Sequence, residues 1–81
     1  MIFSYTPKFK RSLRHFPEEI RRKFYKQAGL LLRDIQHPSL HAKKYSESLD
    51  IWQARVDKSI RFYFFIKDDS YILLDIRKHK D

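Results

Sequence analysis

Residues 51–79 read IWQARVDKSIRFYFFIKDDSYILLDIRKH, and this stretch decides the fold that we predict for the chain. It contains the only tryptophan and is rich in aromatic and β-branched residues, whereas polar clusters interrupt it at residues 57–59 and 67–70. That pattern is typical of short strands joined by tight turns, and connections this short allow only antiparallel hairpins. We therefore predict three strands, over residues 51–56, 61–66 and 71–77.

Successive side chains of a strand point to opposite faces, so the predicted sheet has two faces of different character. One face is apolar and is predicted to hold the core: Trp52, Ala54, Val56, Phe62, Phe64, Ile66, Ile72, Leu74 and Ile76. The other face combines Phe65, Tyr71 and Leu73 with a polar group: Gln53, Arg55, Arg61, Tyr63, Asp75 and Arg77, which His79 continues. Several cations and a tyrosine with few acids suit a phosphodiester. The alternative interpretation is an ordinary solvated sheet face.

The N-terminal half supplies the predicted helices. Residues 2–5 are β-prone and predict a first strand, and Thr6-Pro7 predicts a helix start, because threonine caps free N–H groups and proline lacks one. Pro17 ends this helix and begins a second, which His37-Pro38 ends. Residues 38–50 lack a clear period and are interpreted as a loop. The predicted fold is α+β, in the order β-α-α-β-β-β, with two N-terminal helices packed on one face of a small, mostly antiparallel four-stranded sheet.

Length, charge and cysteine content limit the classes of protein that this chain can be. Its 81 residues predict one domain, residues 1–81. A net charge of +8 favours anionic partners, above all nucleic acid, and the alternative is a solvated basic face. Without cysteine no disulfide or thiolate metal site can form, and the four histidines lack the pairing of a zinc site. We find no signal-peptide pattern and no apolar run of membrane length, so we expect a soluble cytoplasmic protein.

Taken together, these motifs resemble those of the RelE/ParE superfamily of bacterial toxins from toxin–antitoxin pairs. Residues 51–79 carry the likeness through an Arg-Val step, an arginine that opens the next strand, an acidic turn and a basic tail with a histidine. YTPKFKRSL at residues 5–13 and HPSLHAKKY at residues 37–45 add to it. The likeness covers nearly the whole chain, and its basic tail points to the RNA-cleaving branch that includes RelE and YoeB.

The resemblance implies a metal-independent mRNA endoribonuclease that acts with the ribosome and inhibits translation. It also implies a cognate antitoxin protein as partner, no cofactor and no contact with a membrane. Histidine suits such a reaction because its ordinary pKa lies near neutral pH. The implied catalytic residues are Arg55 and Arg61 as a phosphate clamp, His79 as an acid or base, Lys44 (or Lys43) as support, and His41 as a second acid or base. The residues expected to bind RNA are Lys43, Gln53, Tyr63, Arg77, Lys78 and Lys80.

The chain departs from that branch in two places. The RNA-cleaving branch has a carboxylate base in the loop before the sheet, where this chain has no clear acid and His41 lies nearby. Its C-terminal aromatic residue is replaced here by Lys80. These departures keep two alternatives open: a ParE-like DNA gyrase inhibitor that acts by binding, and a non-catalytic RNA-binding module or inactive toxin.

Each candidate residue also has a structural interpretation. His79 would be a solvated terminal histidine, and Tyr63 would merely cover the sheet. Arg55 and Arg61 would be surface ion-pair partners of Asp57 or Asp75. A solvated loop would account for His41, Lys43 and Lys44. Structural roles are assigned to His15 and His37.

Overall fold

The computed structural model describes residues 1–79, and across these residues five strands form one sheet with two α-helices on its inner face. In chain order the elements are β1 (Ile2–Tyr5), α1 (Pro7–Arg14), α2 (Glu18–Arg33), a 3₁₀ helix (Pro38–Leu40), β2 (Lys43–Ser46), β3 (Ile51–Arg55), β4 (Ile60–Lys67) and β5 (Ser70–Lys78). The strands lie in the order β1-β5-β4-β3-β2, in which β1 is parallel to β5 and the other neighbours are antiparallel. The α+β class and both N-terminal helices are confirmed, but the prediction of a four-stranded sheet is wrong by one strand.

The additional strand is β2, which lies within the predicted loop. It pairs with β3 at the sheet edge, with Lys43 opposite Gln53 and Lys44 opposite Trp52. An edge strand has a neighbour on one side only and exposes much of its surface, so it does not require alternating apolar residues, and KKYS has none. The strand forms through its pairing with β3, which the local sequence does not reveal.

Both helices begin where the sequence predicts. The Thr6 hydroxyl accepts a hydrogen bond from the Phe9 amide at 3.1 Å, and Pro7 occupies the first position of α1. The same hydroxyl donates to the Leu73 carbonyl at 2.8 Å, which fastens the start of α1 to β5. α2 begins directly after Pro17. The caps thus set both the helix boundaries and the attachment of α1 to the sheet.

α2 ends at Arg33, before the predicted boundary at residue 37. The Asp34 side chain accepts a hydrogen bond from the Gln36 amide at 2.9 Å, and this local bond competes with the helical backbone bonds. His37 then caps the 3₁₀ helix, because its Nδ1 accepts a hydrogen bond from the Ser39 amide at 3.1 Å. The structural interpretation of this histidine is therefore confirmed. No helix within residues 1–79 is long and apolar enough to cross a membrane.

The core lies between the helices and the inner face of the sheet. Its largest fully buried side chains are Phe9, Phe24, Phe62, Phe64, Leu31, Leu40, Leu73 and Ile76. Trp52 is partly buried against this cluster. Ile66, which was also predicted for the core, is exposed because it lies near the β4–β5 turn. On β5 the prediction is wrong for two residues, since Tyr71 and Leu73 are buried in place of Ile72 and Leu74.

A β-bulge explains the error on β5. Tyr63 lies opposite Asp75, whereas the next residue of β4, Phe64, lies opposite Leu73, so Leu74 is an extra residue. One extra residue reverses the alternation of faces on one side of the bulge. The C-terminal half of β5 therefore keeps the predicted faces, and its N-terminal half has them exchanged.

Candidate nucleic-acid interface

Two rows of cross-strand neighbours lie on the outer face of the sheet, opposite the helices. The first row consists of arginines on three adjacent strands: Arg55 on β3, Arg61 on β4 and Arg77 on β5. The second row consists of Lys43, Gln53, Tyr63 and Asp75. The structure thus places together the six polar residues of β3, β4 and β5 that period-two alternation assigned to one face.

A cleft of about 500 Å³ lies over part of these rows, and we call it the cationic cleft. Its lining residues are His41, Ala42, Lys43, Gln53, Arg55, Arg61 and His79. They come from the segment before β2, from β2, β3 and β4, and from the residue that follows β5. Four of the five predicted catalytic residues and two of the predicted RNA-binding residues therefore meet in one cleft.

Arg61 is a buried cation of this cleft, with 8% of its surface exposed. Its Nη1 donates hydrogen bonds to the carbonyl oxygens of Asp57 at 2.9 Å and Lys58 at 3.0 Å, in the β3–β4 turn. The Asp57 carboxylate accepts hydrogen bonds from the amides of Ser59 at 2.8 Å and Ile60 at 2.9 Å. These hydrogen bonds stabilise the turn and fix the orientation of the Arg61 guanidinium at the cleft.

Asp57 and Asp75 were the alternative ion-pair partners of Arg55 and Arg61, but their carboxylates pair with other cations. Within residues 1–79, the Asp57 carboxylate lies 3.7 Å from the Lys23 ammonium. The Asp75 carboxylate lies 3.6 Å from the Lys8 ammonium and 3.8 Å from Nε of Arg77. The ion-pair interpretation of the arginines in the cationic cleft is therefore wrong.

Gln27 on α2 connects the cationic cleft to the helices, and it was not among the residues predicted from the sequence. Its side chain is 5% exposed, and Nε2 donates hydrogen bonds to the carbonyl oxygens of Arg55 at 2.9 Å and Ser39 at 3.1 Å. Its Oε1 accepts a hydrogen bond from the Ser39 hydroxyl at 3.1 Å. Gln27 therefore fixes the segment that leads to His41 relative to β3. Its position three residues after Phe24 and four before Leu31, both of which are buried, was the signal for this role.

His41 lies at the point where the 3₁₀ helix turns into β2. Its φ of 47° is in the left-handed region, which histidine adopts more readily than most residues. The preceding Leu40 is fully buried and anchors this turn in the core. The backbone turn therefore brings His41 beside Lys43 at the cleft.

His79 is held by the same turn that orients Arg61. Its backbone amide donates a hydrogen bond to the Ser59 carbonyl at 2.6 Å, which joins the end of β5 to the β3–β4 turn. Lys78 precedes it and is exposed beside the cleft. Lys80, which was also predicted to bind RNA, lies outside the described residues.

Lys44, the predicted supporting cation, does not line the cationic cleft. Its ammonium contacts the Asp50 carboxylate and lies 5.4 Å from the centre of the Trp52 ring. The hydrogen bond to Asp50 raises the pKa of Lys44, and the charges of Asp50 and Glu47 add to this effect. Lys43 is the lysine of this segment that lines the cleft.

A second cleft of about 390 Å³ lies beside the first, and we call it the tyrosine cleft. Its lining residues are Thr6, Lys8, Tyr45, Ile51, Tyr63, Leu74, Asp75 and Arg77. The rings of Tyr45 and Tyr63 are in edge-to-face contact at 4.9 Å, and the Arg77 guanidinium lies 4.6 Å from the centre of the Tyr63 ring. Two predicted RNA-binding residues, Tyr63 and Arg77, therefore lie here and not in the cationic cleft.

The cationic cleft has the groups needed to bind a phosphate and to transfer protons. Its arginines and lysine offer charge-assisted donors to an anion, and its two histidines are of the residue type that most often serves as a general acid or base. The described residues that line it include no carboxylate. Within residues 1–79, no group of three or more His, Asp or Glu side chains is placed to hold a metal ion.

Known structures share this fold, although no family model and no curated protein matches the sequence. The YoeB/ParE toxin from Agrobacterium tumefaciens is 11% identical and has a TM-score of 0.79, and the match covers 99% of this chain and 100% of that chain. The RelBE2 toxin–antitoxin complex from Mycobacterium tuberculosis is 21% identical with a TM-score of 0.78 and 96% coverage of both chains. The YoeB–YefM complex from Staphylococcus aureus is 12% identical with a TM-score of 0.79, covering 96% of this chain and 95% of that chain. The chain therefore has the fold of the YoeB, RelE and ParE toxins, as the resemblance in the sequence implied.

Proposed function

We propose that this chain is the toxin of a toxin–antitoxin pair and that it cleaves mRNA on the ribosome without a metal ion. The observation that carries this proposal is the grouping of two histidines with two arginines in the cationic cleft. The fold shared with YoeB, RelE and ParE toxins supports it. Action on the ribosome requires that the chain work in the cytoplasm.

The proposed reaction uses the 2′-hydroxyl of the RNA as nucleophile. A base removes the hydroxyl proton while O2′ forms a bond to phosphorus, and a cation stabilises the added negative charge on the phosphorane. The bond from phosphorus to the 5′-oxygen then breaks as an acid donates a proton to that oxygen. The products are a 2′,3′-cyclic phosphate and a 5′-hydroxyl, and no oxidant or metal is required.

The cleft supports a specific division of this work. His41 and His79 are the proposed acid–base pair, since each is within the lining of the same cleft and imidazole exchanges protons near neutral pH. Arg55 and Arg61 are the proposed phosphate clamp. Lys43 takes the supporting role that was predicted first for Lys44.

We further propose that an acidic antitoxin covers the basic face of the chain. A net charge of +8 favours such a partner. Two of the similar structures are complexes of a toxin with its antitoxin. Co-expression with the protein encoded beside this gene should yield a complex that withstands purification and blocks RNA binding, and failure to associate would contradict this part of the proposal.

Primer extension on mRNA incubated with ribosomes and the purified chain tests the proposed cleavage. We expect cuts that persist in a chelator and a rate that falls about 100-fold or more in His79→Ala and in Arg55→Gln. His41→Asn should also lose activity, and asparagine preserves the left-handed backbone at that position. Arg22→Gln is the matched control, because Arg22 is exposed on α2 and pairs with Glu18.

The second candidate function is inhibition of DNA gyrase by binding alone. The observation in its favour is that the described lining of the cationic cleft contains no carboxylate base. A gyrase supercoiling assay on the same preparation separates the two functions. Inhibition of supercoiling without mRNA cleavage would overturn the ribonuclease proposal, whereas wild-type cleavage by His79→Ala and His41→Asn would overturn the acid–base assignment.

A further inference from the structure

We propose that the tyrosine cleft is a nucleobase subsite, which holds one unpaired base of the RNA whose phosphate lies in the cationic cleft. This inference rests on the proposed function and specifies its substrate as single-stranded RNA. It assigns binding roles to Tyr45 and Leu74, for which the sequence predicted none. The lining of the cleft, its charge and its position beside the cationic cleft support it.

The lining of the tyrosine cleft suits a planar, partly apolar ligand. Ile51 and Leu74 contribute aliphatic surface, and Tyr45 and Tyr63 contribute aromatic rings. Single-stranded RNA is bound in proteins largely by stacking of splayed bases on aromatic side chains and on the plane of arginine. The volume of about 390 Å³ is ample for one base.

The two tyrosines differ in exposure, which suits Tyr45 to stack on a base and Tyr63 to support the Tyr45 ring. Tyr63 is buried, and the Arg77 guanidinium lies over its ring at 4.6 Å. Tyr45 remains 55% exposed although its ring is in edge-to-face contact with Tyr63 at 4.9 Å. An exposed ring whose orientation is fixed by a buried one can stack on a base with little loss of side-chain entropy.

Asp75 is the carboxylate in this cleft, and nearby cations and hydrogen-bond donors offset its negative charge, so it does not repel RNA. Oδ1 of Asp75 accepts hydrogen bonds from the Ser12 hydroxyl at 2.8 Å and from the Ile76 amide at 2.9 Å. Its Oδ2 lies 3.6 Å from the Lys8 ammonium and 3.8 Å from Nε of Arg77. The cluster therefore has two cations for one carboxylate and presents net positive charge to a phosphodiester.

The tyrosine cleft is continuous with the cationic cleft. A depression of about 420 Å³ between them is lined by Tyr45, Tyr63 and Arg77 of one cleft and by His79 of the other. On β4, Tyr63 and Arg61 are two residues apart on one face, which corresponds to about 6.8 Å along a strand. This spacing suits one nucleotide, with its phosphate beside Arg61 and its base beside Tyr63.

The RNA interpretation is favoured over a protein partner because of this continuity. An apolar side chain of a partner protein would use only the aliphatic part of the lining, and an acidic partner would need a separate side chain to reach the adjoining row of arginines. A nucleotide uses both parts at once. The position of the cleft, in direct line with the proposed phosphate clamp, therefore selects a base as its occupant.

The test uses short 2′-O-methyl RNA oligonucleotides, which lack the nucleophile and are not cleaved. One series carries 2-aminopurine at successive positions, and its fluorescence should be quenched where the base stacks on a tyrosine. A second series carries an abasic residue at the quenched position. The variant is Tyr45→Leu, and the matched control is Tyr25→Leu, since Tyr25 is 53% exposed on α2, away from both clefts.

We expect wild type and Tyr25→Leu to bind the intact oligonucleotide about 5- to 100-fold more tightly than the abasic one. Tyr45→Leu should lose most of that difference and the quenching, with unchanged affinity for the abasic oligonucleotide. Equal binding of both oligonucleotides by wild type, or an undiminished difference in Tyr45→Leu, would overturn the subsite. An undiminished difference in Tyr45→Leu would instead favour an apolar side chain of a partner protein as the occupant of the cleft. Absence of wild-type binding to either oligonucleotide would overturn the proposed function together with the subsite. Weaker binding of both oligonucleotides by Arg55→Gln, with the difference between them retained, supports a base subsite that is separate from the phosphate clamp.

Discussion

Arg55 lies directly opposite Arg61 in the antiparallel pairing of β3 with β4, and no carboxylate within residues 1–79 forms an ion pair with either. Like charges directly opposite each other destabilise a sheet. Backbone carbonyls of the β3–β4 turn relieve part of this cost by accepting hydrogen bonds from Arg61. A bound phosphate would relieve the rest, in agreement with the phosphate-binding role that we propose for this pair.

Arg55→Gln is expected to weaken RNA binding without destabilising the fold. The substitution removes one phosphate contact, worth about 1–3 kcal/mol, and lowers the salt dependence of binding by about one ion. It also removes the like-charge repulsion, so the free energy of unfolding should stay constant or rise by a few tenths of a kcal/mol. Salt titrations of oligonucleotide binding and urea denaturation measure the two effects. A large loss of stability would show that Arg55 is a structural residue.

Gln27→Leu is expected to destabilise the protein by about 1–3 kcal/mol, because it removes the buried side-chain amide that donates to the part-buried carbonyl groups of Ser39 and Arg55. Urea denaturation monitored by tryptophan fluorescence measures this loss. Gln36→Leu is the control, since Gln36 is exposed beyond the end of α2. Equal stability of the two variants would mean that the amide of Gln27 does not hold the cleft.

Gly29→Ala is expected to stabilise the protein by about 0.5–1 kcal/mol, through the better helix propensity of alanine and the reduced freedom of the unfolded chain. A close approach to a neighbouring element would be one reason for a glycine in the middle of α2. Within residues 1–79, no atom outside the local helix lies within 4 Å of a Cβ placed there. Thermal unfolding should show a higher midpoint, and a lower one would reveal a contact that this position makes.

Tyr71→Phe is expected to reduce the loss of stability at alkaline pH. Burial raises the pKa of Tyr71 above its ordinary value of 10.0, so the folded state keeps the proton where the unfolded state releases it. Above about pH 10 the unfolded chain therefore binds fewer protons, and the free energy of unfolding falls as pH rises. Urea titrations from pH 8 to about 11 should show a shallower fall in the variant. Identical slopes would mean that the tyrosine ionises equally in both states.

The sequence alone determined the elements whose signals are local. Thr6-Pro7 and Pro17 began the helices because caps and proline act on adjacent backbone groups. Alternation along β3 and β4 placed Arg55 and Arg61 on the face opposite the core, because side chains of a strand alternate whatever its neighbours are. The candidate cations could therefore be identified from residue type and spacing alone.

Tertiary contacts decided the rest of the fold. The edge strand β2 forms by pairing with β3 and carries no apolar pattern of its own. The bulge at Leu74 exchanged the faces of Tyr71 and Leu73, because only the register with β4 reveals an extra residue. The end of α2 at Arg33 was decided by a hydrogen bond of the next side chain, Asp34, that competes with the helical backbone bonds.

The site shows the same division between local and long-range information. The candidate cations were identified from the residue types in residues 51–79, and the alternation of side chains along each strand predicted that they lie on one face of the sheet. Only the folded chain shows that His41, Lys43 and His79 reach the same cleft as Arg55, whereas Lys44 turns to Asp50. Residues far apart in the chain meet through strand pairing, buried anchors and the Gln27 hydrogen bonds, and these interactions exist only once the core has formed.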